Sequence, residues 1–272
     1  MKNLLRRKCF LKDTQDMSDS WVLYSLLVVV PAILACLLVL WLVRKAIPAE
    51  KLRKHHDVAG FTFSIVGVLY SVILGFTVIN VQERFNAAEE TIHTEAAMLA
   101  DLYRDAGFFP ETSRDTIRAH LRTYVHYVLK EEWGSSNIHL QAQSILKEIW
   151  ESYYSVELEN DKVKLWYQQS ISKLDKLMNA RLAREFSSWQ QLSSMMWTLL
   201  ILGALITVCF MFFFGLDSMR FQMLMTSLLA GYLSFMLFLV FTLDHVFTGP
   251  ERVRPTAFEQ VLPLFNPDTT IQ

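Results

Sequence analysis

The first residues of this chain that could take part in chemistry are a carboxylate and an imidazole one helical turn apart, which could bind a metal ion. Glu89 and His93, with Glu90 beside them, have the spacing at which one helix can present two ligands to a metal ion. Solvated helix surfaces often produce the same spacing by chance. His120 and His126 lie six positions apart and cannot share a helix face, so they form no second ligand pair. We therefore predict no metal site.

The short motifs through which enzymes bind phosphate or build a nucleophile are missing from the sequence. It contains no phosphate-cradling glycine loop, no G-x-S-x-G and no H-E-x-x-H. Its three cysteines include no C-x-x-C pair, so they predict neither a cysteine metal site nor a disulfide framework. We predict no catalytic residue and no cofactor, and we do not expect an enzyme.

A different chemistry, the passage of ions, is consistent with one uncharged stretch. Residues 58–81 carry no charged side chain, and charges begin just beyond them. A stripe at four-residue steps runs along this stretch and is followed by an acid; its members are Val68, Val72, Phe76, Asn80 and then Glu83. A ring of apolar side chains can exclude ions by denying them hydration, and polar groups at its end can contact ions.

Beside this stripe lies a ridge of small residues, Gly67, Ser71 and Gly75, which allows another helix backbone to approach closely. Two interpretations follow from the periodicity. Copies of the helix could surround an axis, with the ridge as the packing face and the stripe lining a pore. Alternatively, the ridge packs inside one bundle and the stripe faces lipid or a neighbouring helix.

Four long apolar runs position these residues: about 21–43, 58–82, 193–216 and 221–243. At 1.5 Å per residue, each is long enough to cross a hydrocarbon layer ~30 Å thick. The chain of 272 residues is 52% hydrophobic, which agrees with a multi-pass membrane protein in contact with a lipid bilayer. Because residues 1–20 precede the first run and no small-residue cleavage site follows it, we interpret that run as a retained helix.

The runs divide the chain into an N-terminal segment (1–20), a transmembrane hairpin (21–83), a helical soluble domain (84–190), a second transmembrane hairpin (191–248) and a C-terminal tail (249–272). The sequence thus predicts an all-α fold with four transmembrane helices and a helical domain inserted between spans 2 and 3. Acidic and basic residues are interspersed in that domain, so we expect no nucleic-acid partner.

Apolar periodicity predicts the buried faces of the soluble helices. These faces are Ile117, Leu121, Tyr124 and Val128 after Pro110; Ile145 and Ile149 on a shorter helix; and Tyr167, Ile171, Leu174, Met178, Leu182 and Phe186 on a long one. We predict that the long helix runs without a breaker into the third span, and that the second span continues as one helix through residues 82–88. The tail is expected to lie along the soluble helices, with Asp244 capping its first turn.

The positive residues near span ends favour a cytoplasmic N-terminus and soluble domain. Arg181, Arg184, Arg252 and Arg254 lie near span ends on the N-terminal side, whereas the opposite side adds only Arg220 to otherwise balanced loops.

Several segments resemble a known family. VLYSVILGFTVINVQERF, with LDHVFTG after the last span, is similar to the bestrophin superfamily. HHDVAGFTFSIVGVLYSVILGF, EEW at 131–133 and LDHVFTGPERVRP resemble more closely a bacterial bestrophin-like family of four-span proteins of unassigned function. This closer resemblance covers about residues 40–258.

The resemblance implies a bestrophin-like fold, a homopentamer and the passage of small inorganic ions across a bacterial inner membrane. Bestrophins are pentameric channels whose second membrane helix lines a narrow apolar neck, which here falls on Val68, Val72 and Phe76. Rings of Glu83 and Glu90 would favour cations, whereas Arg84 opposes that preference. The acidic run that forms the calcium clasp of animal bestrophins is missing, so calcium gating is not expected. The alternative is a non-conducting membrane scaffold or sensor that binds a partner through its helical domain.

Overall fold

The computed structural model describes residues 2–47, 56–133, 140–214, 216 and 218–265, and every regular element within these ranges is a helix. The α-helices are α1 (Lys2–Ala46), α2 (His56–Asp105), α3 (Glu111–Tyr127), α4 (Leu140–Tyr154), α5 (Asp161–Trp189), α6 (Ser194–Phe213), α7 (Met219–Asp244) and α8 (Thr256–Val261). A π turn, Val128–Glu132, follows α3, and 3-10 turns occupy Ala106–Phe108 and Leu262–Phe265. The predicted all-α fold class is confirmed.

Four helical segments are long and apolar enough to cross a membrane: Trp21–Ala46, Ala59–Phe108, Ser194–Phe213 and Met219–Asp244. Helix α1 begins at Lys2, well before the predicted start of the first span, and no Gly or Pro interrupts residues 2–20. Helix α2 continues unbroken through residues 82–88, as the absence of a breaker predicted.

The helices form two compact units. The membrane unit contains α1, α2 as far as Glu83, α6 and α7. The soluble unit contains α2 from Arg84 onwards, α3, α4, α5 and most of the chain that follows α7.

Two glycines of the membrane unit allow a neighbouring helix to pack closely, because they have no side chain. A Cβ atom built at Gly203 of α6 would lie 2.3 Å from the Tyr70 ring of α2, so only glycine leaves room for this ring. The Tyr70 hydroxyl donates to the carbonyl of Leu200 at 3.1 Å. A Cβ atom built at Gly231 of α7 would lie 3.1 Å from Ile33 of α1. The contacts at Gly203 and Leu200 define which side of α2 faces its own chain.

The core of the soluble unit is built from the predicted faces of α3 and α4. Ile117, Leu121, Tyr124, Val128, Ile145 and Ile149 are all buried, which confirms these predictions. Burial of each large apolar side chain contributes roughly 1.5–3 kcal/mol. The tail packs against the same core through Val246, Val253, Ala257, Phe258 and Phe265, as expected.

The long helix α5 differs from its prediction in two ways. First, its predicted face is buried at Leu174, but Leu182 and Phe186 are 49% and 52% exposed. The core-facing positions near the end of α5 are instead Arg181 and Arg184, because these side chains bind buried carboxylates.

Second, the prediction that α5 runs into the third span was wrong. Helix α5 ends at Trp189 and α6 begins at Ser194, although no Gly or Pro lies between them. The hydroxyl of Ser193 accepts from the Met196 N–H at 3.3 Å and caps α6. Capping side chains satisfy N–H groups at a helix start, so a capped break is stable without a helix-breaking residue.

Asp244, at the end of α7, stabilises the break between α5 and α6 through hydrogen bonds. Its carboxylate accepts from the Leu192 N–H at 2.8 Å and from the Trp197 indole N–H at 3.3 Å, and the side chain is buried. The sequence interpretation assigned Asp244 to the first turn of the tail. Its partners instead lie on the α5–α6 connection and in the first turn of α6, where the helix dipole also favours a negative charge.

Candidate pore-lining site

The second span has one side that faces its own chain. Tyr70, Leu74, Thr77 and Val81 are buried along it, at the steps of three and four residues that define one helix face. The Tyr70 ring and hydroxyl bind this side to α6, as described above. The opposite side of α2 is therefore directed away from the membrane unit of its own chain.

All five predicted pore-lining residues lie outside that buried face, with Val68, Val72, Phe76 and Glu83 opposite it and Asn80 at its flank. Val68, Val72 and Phe76 are 62%, 50% and 70% exposed in the single chain, and Asn80 and Glu83 are also exposed. The structure thus places the predicted residues on one uncovered stripe of the helix.

The predicted packing ridge is open in the single chain as well. A Cβ atom built at Gly67 or Gly75 would meet nothing within 4 Å, and the Ser71 side chain is exposed. The Ser71 hydroxyl donates to the carbonyl of Val68 in its own helix, so it needs no further partner to satisfy its hydrogen bond. Among the residues that the structure describes, nothing packs against the glycines of this ridge, whereas α2 meets α6 closely where Tyr70 contacts Gly203.

The residues considered as metal ligands lie on the surface. Glu89, Glu90 and His93 are exposed on α2. Within the described ranges, no three His, Cys, Asp or Glu side chains are grouped as they would be around a metal ion. His120 is engaged elsewhere, because its Nδ1 lies 2.8 Å from the Ser152 hydroxyl.

A buried network of charged residues in the soluble unit was not predicted from the sequence. Glu95 of α2 is fully buried and accepts from Arg184 Nε at 2.6 Å and Nη2 at 3.2 Å. Arg184 Nη2 also donates to Glu132 at 3.3 Å, and Arg181 donates to the other oxygen of Glu132 at 3.0 Å. These four buried side chains join α2, α5 and the π turn.

Tyr124 and Glu185 complete the network. The Tyr124 hydroxyl donates to Glu95 at 2.6 Å and accepts from Arg181 at 3.0 Å, and Arg181 also donates to Glu185 at 2.6 Å. Burial, together with the charge of Glu95, raises the pKa of Tyr124, so its hydroxyl stays protonated. Burial opposes the charge of Arg184, but its carboxylate partners outweigh that effect and raise its pKa.

One sequence signal could have revealed this network. Glu95 follows Ala88 and Ile92 and precedes Leu99 on the buried face of α2, which places a charge where an apolar residue is expected. A buried carboxylate requires a cation, and Arg184 was available but was interpreted as a residue at a span end.

A family model described as a Bestrophin-like domain matches residues 30–258 of the chain. The chain belongs to the bestrophin-like family. The resemblance inferred from the sequence is confirmed, and the protein is a multi-pass membrane protein. No curated protein matches this bestrophin-like chain.

Solved structures of a bacterial bestrophin homolog from Klebsiella pneumoniae share this fold. One mutant structure has a TM-score of 0.67 at 15% identity, covering 86% of this chain and 97% of that chain. A second mutant has a TM-score of 0.68 at 14% identity, covering 87% and 98%. A structure phased with zinc has a TM-score of 0.65 at 16% identity, covering 86% and 97%.

Two segments that carry the bestrophin-like resemblance have structural roles in this protein. In the EEW segment, Glu132 binds both arginines of the buried network, and the Trp133 ring packs against Phe247 and Phe258 with centroids 6.2 and 5.8 Å away. In the LDHVFTG segment, Asp244 holds the start of α6. Both segments therefore fix helix ends and helix contacts.

Proposed function

We propose that this protein is an oligomeric ion channel whose conduction path is lined by the second membrane helix. The observation that carries the proposal is the uncovered stripe of α2, on which Val68, Val72 and Phe76 are 62%, 50% and 70% exposed while the reverse side of the helix is buried. Membership of the bestrophin-like family supports the same function.

The chemistry of the uncovered side favours contact with other copies of the helix over contact with lipid alone. A ridge containing Gly67, Ser71 and Gly75 lies beside the stripe and is open to close approach. In membranes such ridges mark helix–helix interfaces, because small residues let two backbones pack tightly. When the ridge of each copy packs against the next copy, the stripe is turned towards a central axis. We propose a homopentamer, which the family resemblance implies.

The stripe then forms a hydrophobic neck. Rings of Val68, Val72 and Phe76 restrict ions by size and by dewetting, and Asn80 and Glu83 contact ions at the end of the neck. We propose a preference for cations because exposed carboxylates at Glu83 and Glu90 concentrate positive ions at the pore mouth. The path carries small inorganic ions across a bacterial inner membrane, with the soluble unit on the cytoplasmic side.

The test is ion flux through purified protein in liposomes. Replacing Val68, Val72 and Phe76 together by Ala widens and wets the neck, so we expect flux to rise several-fold over the unmodified protein. The matched control replaces three exposed apolar residues of α1, Leu23, Leu27 and Leu34, by Ala and is expected to leave flux unchanged. A folded, oligomeric neck variant that conducts no better than protein-free liposomes would favour the non-conducting scaffold or sensor.

A further inference from the structure

A cavity of about 600 Å³ lies in the soluble unit between α4 and α5. This volume is within the range of small-molecule sites, which are concave and mostly apolar with a few polar groups. Apolar walls come from both helices: Leu146, Trp150 and Tyr154 on α4, and Met178 and Leu182 on α5. The rings of Trp150 and Tyr154 are stacked, with centroids 5.9 Å apart.

Part of this apolar lining is exposed to solvent in the single chain. Tyr154 is 71% exposed and Leu182 is 49% exposed, whereas Leu146 at the base is buried. An apolar group placed between these walls would remove surface from water on both sides, which is favourable in proportion to the area covered. The walls therefore favour an apolar occupant.

The charged side chains that line the cavity determine which polar group a bound molecule can have. Arg181 is held in the buried network by Tyr124, Glu132 and Glu185. The other cation of the lining, Lys147, has an ion pair with Glu151 at 3.6 Å, and the two side chains are 78% and 60% exposed. Exposed ion pairs of this kind contribute little to stability because water screens both charges, so Lys147 can exchange its partner.

We propose that this cavity binds a monocarboxylate with an apolar tail, such as a medium-chain fatty acid in solution. Its tail lies between Trp150 and Leu182, and its carboxylate binds Lys147. Glu185 and Arg181 also line the cavity on α5, but they are paired with each other at 2.6 Å, so the cation that can accept the head group is Lys147 on α4. This inference does not depend on the proposed channel function.

The test uses the full-length protein in lipid nanodiscs and octanoate as the probe, with empty nanodiscs as the blank for isothermal titration. We expect saturable binding with one octanoate per chain. Lys147→Gln should weaken it about 2- to 5-fold. Leu182→Asp should weaken it more than tenfold, because it places a charge in the apolar wall. Leu165→Asp is the matched control: Leu165 is 64% exposed on the same helix and does not line the cavity, so binding should be unchanged.

Four results would overturn the proposal. The first is the absence of saturable octanoate binding. The second is equal loss of binding in Leu182→Asp and Leu165→Asp, since the apolar wall would then not be the binding site. The third is equally tight binding of octylammonium, since the lining would then not select an anion. The fourth is a change in oligomeric mass caused by Leu182→Asp alone, which would assign the cavity to a contact with a second copy of the chain.

Discussion

Arg184 of α5 donates to Glu95 of α2 at 2.6 Å, and neither side chain is more than 7% exposed. The two residues are 89 positions apart in the chain. A buried ion pair adds little net stability compared with an apolar pair of the same volume, but loss of one partner leaves an uncompensated charge in the core. The pair therefore makes the packing of α2 against α5 dependent on both residues.

Replacing Arg184 by Met should destabilise the soluble unit by about 3–5 kcal/mol, because Glu95 would stay buried without its cation. Thermal unfolding of the purified protein, followed by circular dichroism, measures this change. Adding Glu95→Gln should recover part of the loss, since the uncompensated charge is then removed. Lys176→Met is the control on the same helix, at an exposed position, and should change stability by less than about 0.5 kcal/mol. Equal unfolding temperatures for the two single variants would contradict this interpretation.

Two glycines should respond to substitution in different ways. Gly203→Ala places a Cβ atom against the Tyr70 ring and should cost about 1–3 kcal/mol in folding, measured by thermal unfolding. A Cβ atom added at Gly75 meets nothing within 4 Å, so with Gly75→Leu the fold should persist while the oligomeric mass in detergent falls. Ile79→Leu is the conservative control on α2. An unchanged oligomeric mass in Gly75→Leu would show that the ridge is not an interface between copies.

Helix α2 should not tolerate proline near its middle. Ala87 lies inside the continuous helix His56–Asp105, and Pro there removes a hydrogen bond and clashes with the preceding turn. Ala87→Pro should cost ~3 kcal/mol or more and reduce the yield of assembled protein. Ala87→Ser, which keeps the backbone N–H, serves as the control. Similar yield and thermal stability for the two variants would argue against a continuous helix.

Glu83 should contribute to cation preference if the stripe lines a pore. In the background with Ala at the three neck positions, Glu83→Gln removes a charge at the end of the neck, so the reversal potential in a salt gradient should move towards zero. Glu157→Gln, at an exposed position in the soluble unit, is the control and should leave the reversal potential unchanged. If the reversal potential shifts equally in both variants, Glu83 is not the source of the cation preference.

Membrane orientation can be tested by cysteine labelling in a variant without Cys9, Cys36 and Cys209. A cysteine at Leu52 should react with an impermeant reagent applied from outside, and one at the exposed His126 should not. The sequence prediction counted Arg181 and Arg184 among the positive residues near span ends, but the structure buries both in ion pairs. The predicted orientation therefore rests on Arg252 and Arg254. Labelling at His126 alone would place the soluble unit outside the cytoplasm.

The amino-acid sequence by itself determined the elements of this protein. Four uncharged apolar runs predicted the membrane-crossing helices, because their length matches the hydrocarbon layer. Apolar residues at steps of three and four predicted the buried faces of α3 and α4, since the period of a helix places such residues together. The candidate site was also visible at this level, as a stripe and a ridge on one helix.

The tertiary structure decided how these elements pair. The contact of Tyr70 with Gly203 and the buried residues in line with Tyr70 show which side of α2 faces its own chain. The other side, with Val68, Val72 and Phe76, is left uncovered. The buried face near the end of α5 was mispredicted because apolar periodicity counts only apolar side chains, whereas Arg184 is buried there by its ion pair with Glu95. The break after α5 depends on Asp244, which is distant in the sequence. Such contacts join residues far apart in the chain, whereas sequence periodicity reports only neighbours within a few helical turns.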